Sequence, residues 1–189
     1  MALKIVAGSA KGRKLKGPKG PGIRPATGRV RESLFQILGD LSGKKVLDLF
    51  AGTGSVGLEA LSRGADHAVF VDPSQPAVTL LFRNLEATGF LPKAHVIKKK
   101  ANAAIEFLHQ RGFRYDLIFL DPPYDRGLVD DTLRKLASFP LLKPEGLLLI
   151  EHSPREIPAF LSGLRVVDER KYGQTRVTFL EYKKAEKSP

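Results

Sequence analysis

Cysteine is absent from all 189 residues, which removes disulfides, thiolate metal sites, iron–sulfur clusters and any covalent mechanism that runs through a thiol. Histidine is scarce: His67, His95, His109 and His152 lie far apart without ligand spacing, so each reads as a surface or packing residue and no metal site is expected. Long apolar runs are also missing. Ala2-Leu3 and Ile5-Val6-Ala7, split by Lys4, fall far short of a secretory h-region, and nothing else approaches a membrane span, so a cytoplasmic protein is expected. Acid is missing from one end, where no Asp or Glu precedes Glu32.

That acid-free segment holds Lys4, Lys11, Arg13, Lys14, Lys16, Lys19, Arg24, Arg29 and Arg31, a large share of the excess behind a net charge of +11. A solvated arm that only aids solubility is one reading. The interleaving of cations with Gly and apolar residues in KIVAGSAKGRKLKG suits a short hairpin that presents charge, and nucleic acid is the favoured partner. Lys11, Arg13, Lys14, Lys16, Arg24, Arg29 and Arg31 are the candidate RNA-binding residues.

Hydrophobic residues make up 42% of the chain, enough for one sizeable core with a small appendage. GPKGPGIRP at 17–25 reads as a linker, so removal of residues 1–22 is predicted to leave a folded, cofactor-binding domain. Thr27 can cap a helix carrying Val30, Leu34, Ile37 and Leu38 at helical spacing, which Gly39 ends. The expected division is a basic hairpin and helix over 1–40, a catalytic domain over 41–184 and a frayed tail over 185–189.

From Lys45 the chain alternates short apolar runs with amphipathic stretches. VLDLF precedes a helix to about Arg63, AVFVD a helix from about Ser74 to Ala87, and AHVIK a helix over Ala103 to Gln110. DLIFL leads through DPPY to a helix around Leu128 to Ala137, and GLLLI to a last helical turn or two. This is an α/β fold with a mostly parallel sheet. LRVVDERKYG and QTRVTFLEY sit close enough for a closing antiparallel hairpin.

After the first run, Gly52, Gly54 and Gly57 match the dinucleotide fingerprint G-x-G-x-x-G. A pyrophosphate there needs bare backbone N–H groups and the positive end of a helix dipole. Asp48 places a carboxylate beside them, the wrong charge for NAD and the right one for the ammonium and sulfonium of S-adenosylmethionine. Asp72 can take ribose hydroxyls of either ligand. Asp48 could instead only cap the loop, and Asp72 only a turn.

DPPY, at Asp121 to Tyr124, follows a buried strand at the edge where such sheets bind ligands. The Asp121 carboxylate and the Pro122 carbonyl offer two acceptors for the N–H groups of an exocyclic amine, whose lone pair they would aim at a methyl donor. Tyr124 can stack on a base swung out of its own stack. On this reading Tyr124→Phe is mild. A proline-stiffened turn with a buried Tyr is the bland alternative.

DLFAGTGSVGLEALSRGA, DLIFLDPPY, IVAGSAKGRKL and RPATGRVRESLFQIL together resemble the RsmD family, bacterial methyltransferases acting on a guanine N2 of small-subunit (16S) ribosomal RNA, over about Lys4 to Tyr182. The resemblance implies a Rossmann-like class I S-adenosylmethionine-dependent methyltransferase, with a seven-stranded sheet whose last strand is antiparallel. It implies cofactor contacts from Asp48, Phe50, Ala51, Gly52 and Gly54, from Asp72, and from Asn102 after the third strand. Two positions depart from the family: Asp72 stands where Glu is usual, and Asn102 where many members have Asp. Asn102 can still accept from the adenine amine through its amide oxygen, and Lys98 to Lys100 read as a solvated strand end.

The function expected is methyl transfer from S-adenosylmethionine, leaving S-adenosylhomocysteine, to guanine N2 in ribosomal RNA, with a partly assembled small subunit as a further partner and no membrane or metal. Nothing marks an extended dimer face, so a monomer is expected. DNA adenine-N6 methylation and a catalytically silent RNA-binding assembly factor are the alternatives. A pyrimidine C5 methyltransferase needs the missing cysteine, and a NAD dehydrogenase stays formally open.

Overall fold

Alternation along the strands decides the layering. In the computed structural model, which describes residues 3–17, 28–156, 158–159 and 163–183, and at 28 and 29 the backbone alone, seven strands form one sheet. They are β1 (Lys45–Asp48), β2 (His67–Val71), β3 (Ala94–Ile97), β4 (Tyr115–Leu120), β5 (Leu142–His152), β6 (Leu164–Tyr172) and β7 (Thr175–Tyr182), in the order β3-β2-β1-β4-β5-β7-β6. The first five run parallel, and β7 is antiparallel to both β5 and β6.

Among the described residues five α-helices cover the sheet: α1 (Gly28–Leu38), α2 (Ser55–Ser62), α3 (Gln75–Thr88), α4 (Ala101–Gln110) and α5 (Leu128–Ser138). Val46, Phe70, Leu117, Phe119, Leu149 and Phe179 face one way, into a core completed by α1, α2 and α3. Their neighbours Leu47, Val69, Val71, Ile118, Leu120 and Leu180 face the other, against α4 and α5. Strands buried on both faces cannot alternate apolar with polar residues, which is why DLIFL and GLLLI read as continuous runs. Strand order reverses between β1 and β4, so the carboxyl ends of the parallel strands open at one switch point.

The boundaries predicted for the helices hold to within a few residues. Ser74 caps α3 by accepting from Ala77 N, and α4 starts at Ala101, which draws Asn102 into its first turn. The turn between β6 and β7 is only Gly173-Gln174. Ile37 departs from its expected place on the buried stripe of α1 and is 43% exposed. The linker at 18–25, Thr27, the tail at 185–189 and part of the segment expected to form helical turns after β5 lie outside the described residues.

The N-terminal arm folds back on itself: Ile5 N donates to Arg13 O, and Gly12 N and Leu15 N donate to Ile5 O and Leu3 O. It is not separable from the sheet. Ile5, Ala10 and Leu15 belong to the same core as α1, α2 and α3. Glu59 of α2, fully buried, accepts from Val6 N at 2.8 Å and Ala7 N at 3.0 Å while Arg31 and Arg63 balance its charge. Ser62 donates to Ala7 O and accepts from Ala10 N. Gly8 lies so close that a Cβ there would come within 1.8 Å of Ser62 O.

Asn84 of α3, also fully buried, bonds the arm at Lys16 N (2.7 Å) and Lys16 O (3.0 Å), and the glycine loop at Thr53 O (2.9 Å). The predicted independence of residues 1–22 is therefore corrected, because removing them would strip partners from Glu59, Ser62 and Asn84 and open the core. A chain beginning at residue 23 should be insoluble or lose cooperative urea unfolding. Asn84→Ala should lower stability by on the order of 2 kcal/mol, since it leaves buried backbone groups unpaired. Glu59→Gln should cost about 3–5 kcal/mol by isolating the Arg31 charge. Urea titration checks both; a midpoint unchanged in either variant would refute the tie.

Candidate active site

Each parallel strand or its following loop brings a polar group toward the carboxyl edge. Asp48 ends β1, Asp72 follows β2, Asn102 follows β3, Asp121 follows β4 and Glu151 lies at the end of β5. The glycine loop between β1 and α2 is held from beneath. Ala51 N donates to Val71 O, Leu49 N to Phe119 O and Gly54 N to Ala51 O.

Two glycines of the fingerprint serve packing. Gly54, at φ +80°, leaves no room for a side chain, since a Cβ would fall 2.3 Å from Leu81 Cδ1. At Gly57 a Cβ would fall 2.3 Å from the Phe70 ring. Of the loop residues expected at the cofactor, Phe50 and Gly52 remain partly open, while Ala51 and Gly54 are buried.

Two N–H groups of the fingerprint glycines already have carboxylate acceptors. Asp72 Oδ2 accepts from Gly52 N at 2.9 Å and Oδ1 from Ser74 N at 2.8 Å. Asp48, buried under the loop, accepts from Gly57 N in the first turn of α2 at 3.3 Å. Carboxylates thus occupy two of the donors that a pyrophosphate would use. This donor set disfavours NAD and suits a ligand that brings hydroxyls and positive charge. Asn102 is exposed.

DPPY is anchored on its far side. Asp125 has φ +57°, the one positive φ outside glycine among the described residues. Its N–H donates to Glu156 Oε2 at 3.0 Å, Gly127 N donates to Glu156 Oε1 at 3.1 Å, and Ser153 Oγ donates to Asp125 Oδ1 at 3.1 Å. Pro122 is buried and Asp121 half-buried. The Tyr124 hydroxyl donates to Glu151 Oε1 at 3.0 Å and lies 3.1 Å from Thr175 Oγ1 on β7. Its hydroxyl is therefore engaged, so Tyr124→Phe is now expected to cost more than the mild effect that stacking alone implies.

Electrostatics follow from burying acids together. Burial pushes the Asp48 carboxyl up to about 7, against the pull of the Gly57 and Phe50 N–H groups. Burial raises Asp121 well above the usual carboxylate range, with Glu151 and Asp48 pushing the same way. Glu151 is raised by burial, which the Tyr124 bond offsets in part. These acids favour a cation at this edge of the sheet. Among the described residues no group of His, Asp and Glu could hold a metal ion, and no helix is long and apolar enough to cross a membrane.

Glu151 and Thr175 were missed from sequence. Glu151 obeys the strand-end rule that singled out Asp48 and Asp121, and was passed over as part of GLLLIEH. Thr175 carries no signal, since only the hairpin brings it to Tyr124. Of the predicted RNA-binding residues, Lys11, Arg13, Lys14 and Lys16 are exposed on the arm. Arg24 and the side chain of Arg29 lie outside the described residues. Arg31 is corrected: it is 1% exposed, bonds Lys4 O and pairs with Glu59, so burial removes it from any RNA surface.

This sheet order, its antiparallel seventh strand and the acid-held glycine loop define an S-adenosylmethionine-dependent methyltransferase of class I. The family model described as Conserved hypothetical protein 95 matches residues 3–181. Ribosomal RNA small subunit methyltransferase D of Escherichia coli is 39% identical over 79% of this chain and 74% of its own. YlbH of Bacillus subtilis is 35% identical over 96% of this chain and 99% of its own. The solved structure of yhhF from Escherichia coli superposes with a TM-score of 0.82 at 33% identity, covering 96% of this chain and 98% of that one. The chain belongs to the RsmD family.

The buried acid at Asp48 generates a pH dependence. A cation at the loop binds best when Asp48 is ionised, so affinity for S-adenosylmethionine should climb as pH rises toward 7 and level off above it. The limiting slope is about tenfold per pH unit, with a proton released on binding at pH 6. Without ligand the sign reverses. The raised carboxyl stabilises the fold at low pH, and that contribution is lost as pH rises through about 7. Calorimetry at pH 5.5 to 8 should show the climb in the natural protein and a flat profile in Asp48→Asn; parallel profiles would remove Asp48 from the site.

Proposed function

We propose that the protein transfers a methyl group from S-adenosylmethionine to the exocyclic N2 of a guanine in small-subunit ribosomal RNA. The observation that carries this is Asp121, held at the end of β4 beside a second carboxylate and a fixed tyrosine ring, on the edge where two N–H groups of the fingerprint glycines are taken by acids. The name of the Escherichia coli relative supports small-subunit ribosomal RNA as the substrate class. The exposed cations of the arm suit a polyanion, and the protein acts in the cytoplasm as a monomer, with a partly assembled small subunit as a further partner.

Asp48, Asp72, Asn102 and the loop from Phe50 to Gly54 would hold the cofactor. When bound, S-adenosylmethionine supplies an electrophilic methyl group. An exocyclic amine is a poor nucleophile because its lone pair is delocalised into the ring. The Asp121 carboxylate and Pro122 carbonyl accept its two N–H bonds, localise that pair and stabilise the positive charge that develops. The amine then sheds one proton, which the Asp121 carboxylate, with its raised proton affinity, would take. Tyr124 stacks on the base, its ring steered by Glu151 and Thr175.

Nucleoside mass spectrometry of RNA and DNA from a strain lacking the protein, before and after treatment with the purified enzyme, tests the substrate. N2-methylguanine restored in small-subunit RNA is expected; N6-methyladenine restored in DNA would overturn the reading. Asp121→Ala should keep cofactor affinity within a few fold and lower single-turnover rate by roughly two to four orders of magnitude, the scale of a lost transition-state contact. Tyr124→Phe should lower that rate by about tenfold, since it removes a hydrogen bond to a carboxylate. Loss of cofactor binding in Asp121→Ala, with near-normal chemistry at saturation, would reverse the assigned roles.

A further inference from the structure

The wall that ends at Tyr124 continues away from the chemistry. Thr175, in contact with the Tyr124 hydroxyl, stands opposite Tyr172 in the β6–β7 hairpin. The Tyr172 hydroxyl in turn meets Ser33 Oγ of α1 at 2.7 Å. Outside this wall lies an open groove of about 380 Å³ between α1 and the end of β6, lined by Ser33, Gln36, Ile37, Arg170, Lys171 and Tyr172. Small-molecule sites run from about 300 to 1,000 Å³, so the space suits a nucleotide-sized group.

Its chemistry is one-sided. No carboxylate lines the groove, and the acids nearest it on the hairpin are engaged: Asp168 with Arg170 at 2.8 Å, and Glu169 with Arg176 at 2.6 Å. Lys171 is exposed and appears in no ion pair among the described residues. Gln36 and the Ser33 and Tyr172 hydroxyls offer both donors and acceptors, and Ile37 is a single exposed apolar side chain, 43% open, where the buried stripe of its helix would have hidden it. One isoleucine is too little apolar surface for a protein-docking patch. A cation, an amide, hydroxyls and one apolar contact match one nucleotide, with phosphate on charge, base edges on polar groups and base or sugar face on Ile37.

Resting on the proposed methylation of RNA, we propose that this groove holds the nucleotide next to the target guanine in a single-stranded stretch of the substrate. Lys171 meets its phosphate, and Gln36, Tyr172 and Ile37 meet its base. The groove and the basic arm flank the same helix, for Arg31 of α1 bonds Lys4 O at the foot of the arm. An RNA strand leaving the active site past Tyr124 and Thr175 reaches the groove first and the arm beyond it.

The test compares Lys171→Glu with Lys93→Glu, an equal change of charge at an exposed position on the opposite, amino-terminal edge of the sheet. Methylation of naked small-subunit RNA is measured over a range of salt, with S-adenosylhomocysteine affinity by calorimetry. Lys171→Glu should raise KM for RNA about tenfold and make the salt dependence of binding shallower by roughly one phosphate contact, leaving kcat and cofactor affinity near their original values. Ile37→Ser should raise KM without changing the salt slope. Lys93→Glu should change neither.

A Lys171→Glu protein that matches Lys93→Glu in KM and salt slope overturns the groove, as does a fall in kcat with KM unchanged. An effect seen with partly assembled particles but not with naked RNA would assign the groove to a protein and also overturn it. Failure of the underlying reading looks different: the unsubstituted protein would then methylate no RNA. In that case fluorescence-anisotropy titration with a single-stranded RNA oligonucleotide decides the groove by itself, since equal affinity in both lysine variants rejects it.

Discussion

Buried carboxylates at one edge of the sheet are the constraint on which the site depends. Asp48 is fully and Asp121 and Glu151 are partly drawn out of water, with no lysine or arginine paired to them among the described residues; the Gly57 N–H bonds Asp48 and the Tyr124 hydroxyl bonds Glu151. Removing a charge from water without a counter-charge is costly, and the pocket meets that cost by holding protons more tightly. The same imbalance makes the edge receptive to a cationic ligand and to an amine acquiring positive charge. Under the proposed function, one arrangement of acids would serve both cofactor retention and the chemistry on the base.

The glycine fingerprint takes its meaning from those acids. Identical glycine spacing serves pyrophosphate when the N–H groups of loop and helix are bare. Here Gly52 N and Gly57 N are bonded to Asp72 and Asp48, so two of the donors are filled by carboxyl groups. Gly54 and Gly57 are needed because Leu81 and Phe70 occupy the space their side chains would take. Their role is close packing, and a ligand's demands explain less of the motif than the helix and strand beneath it.

On the opposite side, three buried polar side chains make the basic arm part of the catalytic body. Glu59, Ser62 and Asn84 satisfy arm backbone that would otherwise be unpaired against the core, and Asn84 joins Lys16 directly to Thr53 in the cofactor loop. The cations of the arm are therefore carried on a fixed platform.

What the sequence by itself determined was periodic or local: strands buried on both faces, helices between them, the closing hairpin, the strand-end acids at 48, 72 and 121, and the DPPY turn. Those follow from apolar period and turn chemistry, which are properties of neighbours along the chain. Only the tertiary structure decided the rest. Arg31 looked like one more cation of a basic block and is instead the buried partner of Glu59, while Ile37 looked like core and is exposed beside the hairpin. Glu151, Thr175, Glu59 and Asn84 take their roles from partners 27 to 68 residues away. Such contacts have no period to reveal them, because they exist only once the sheet has set which distant residues share an edge or a face.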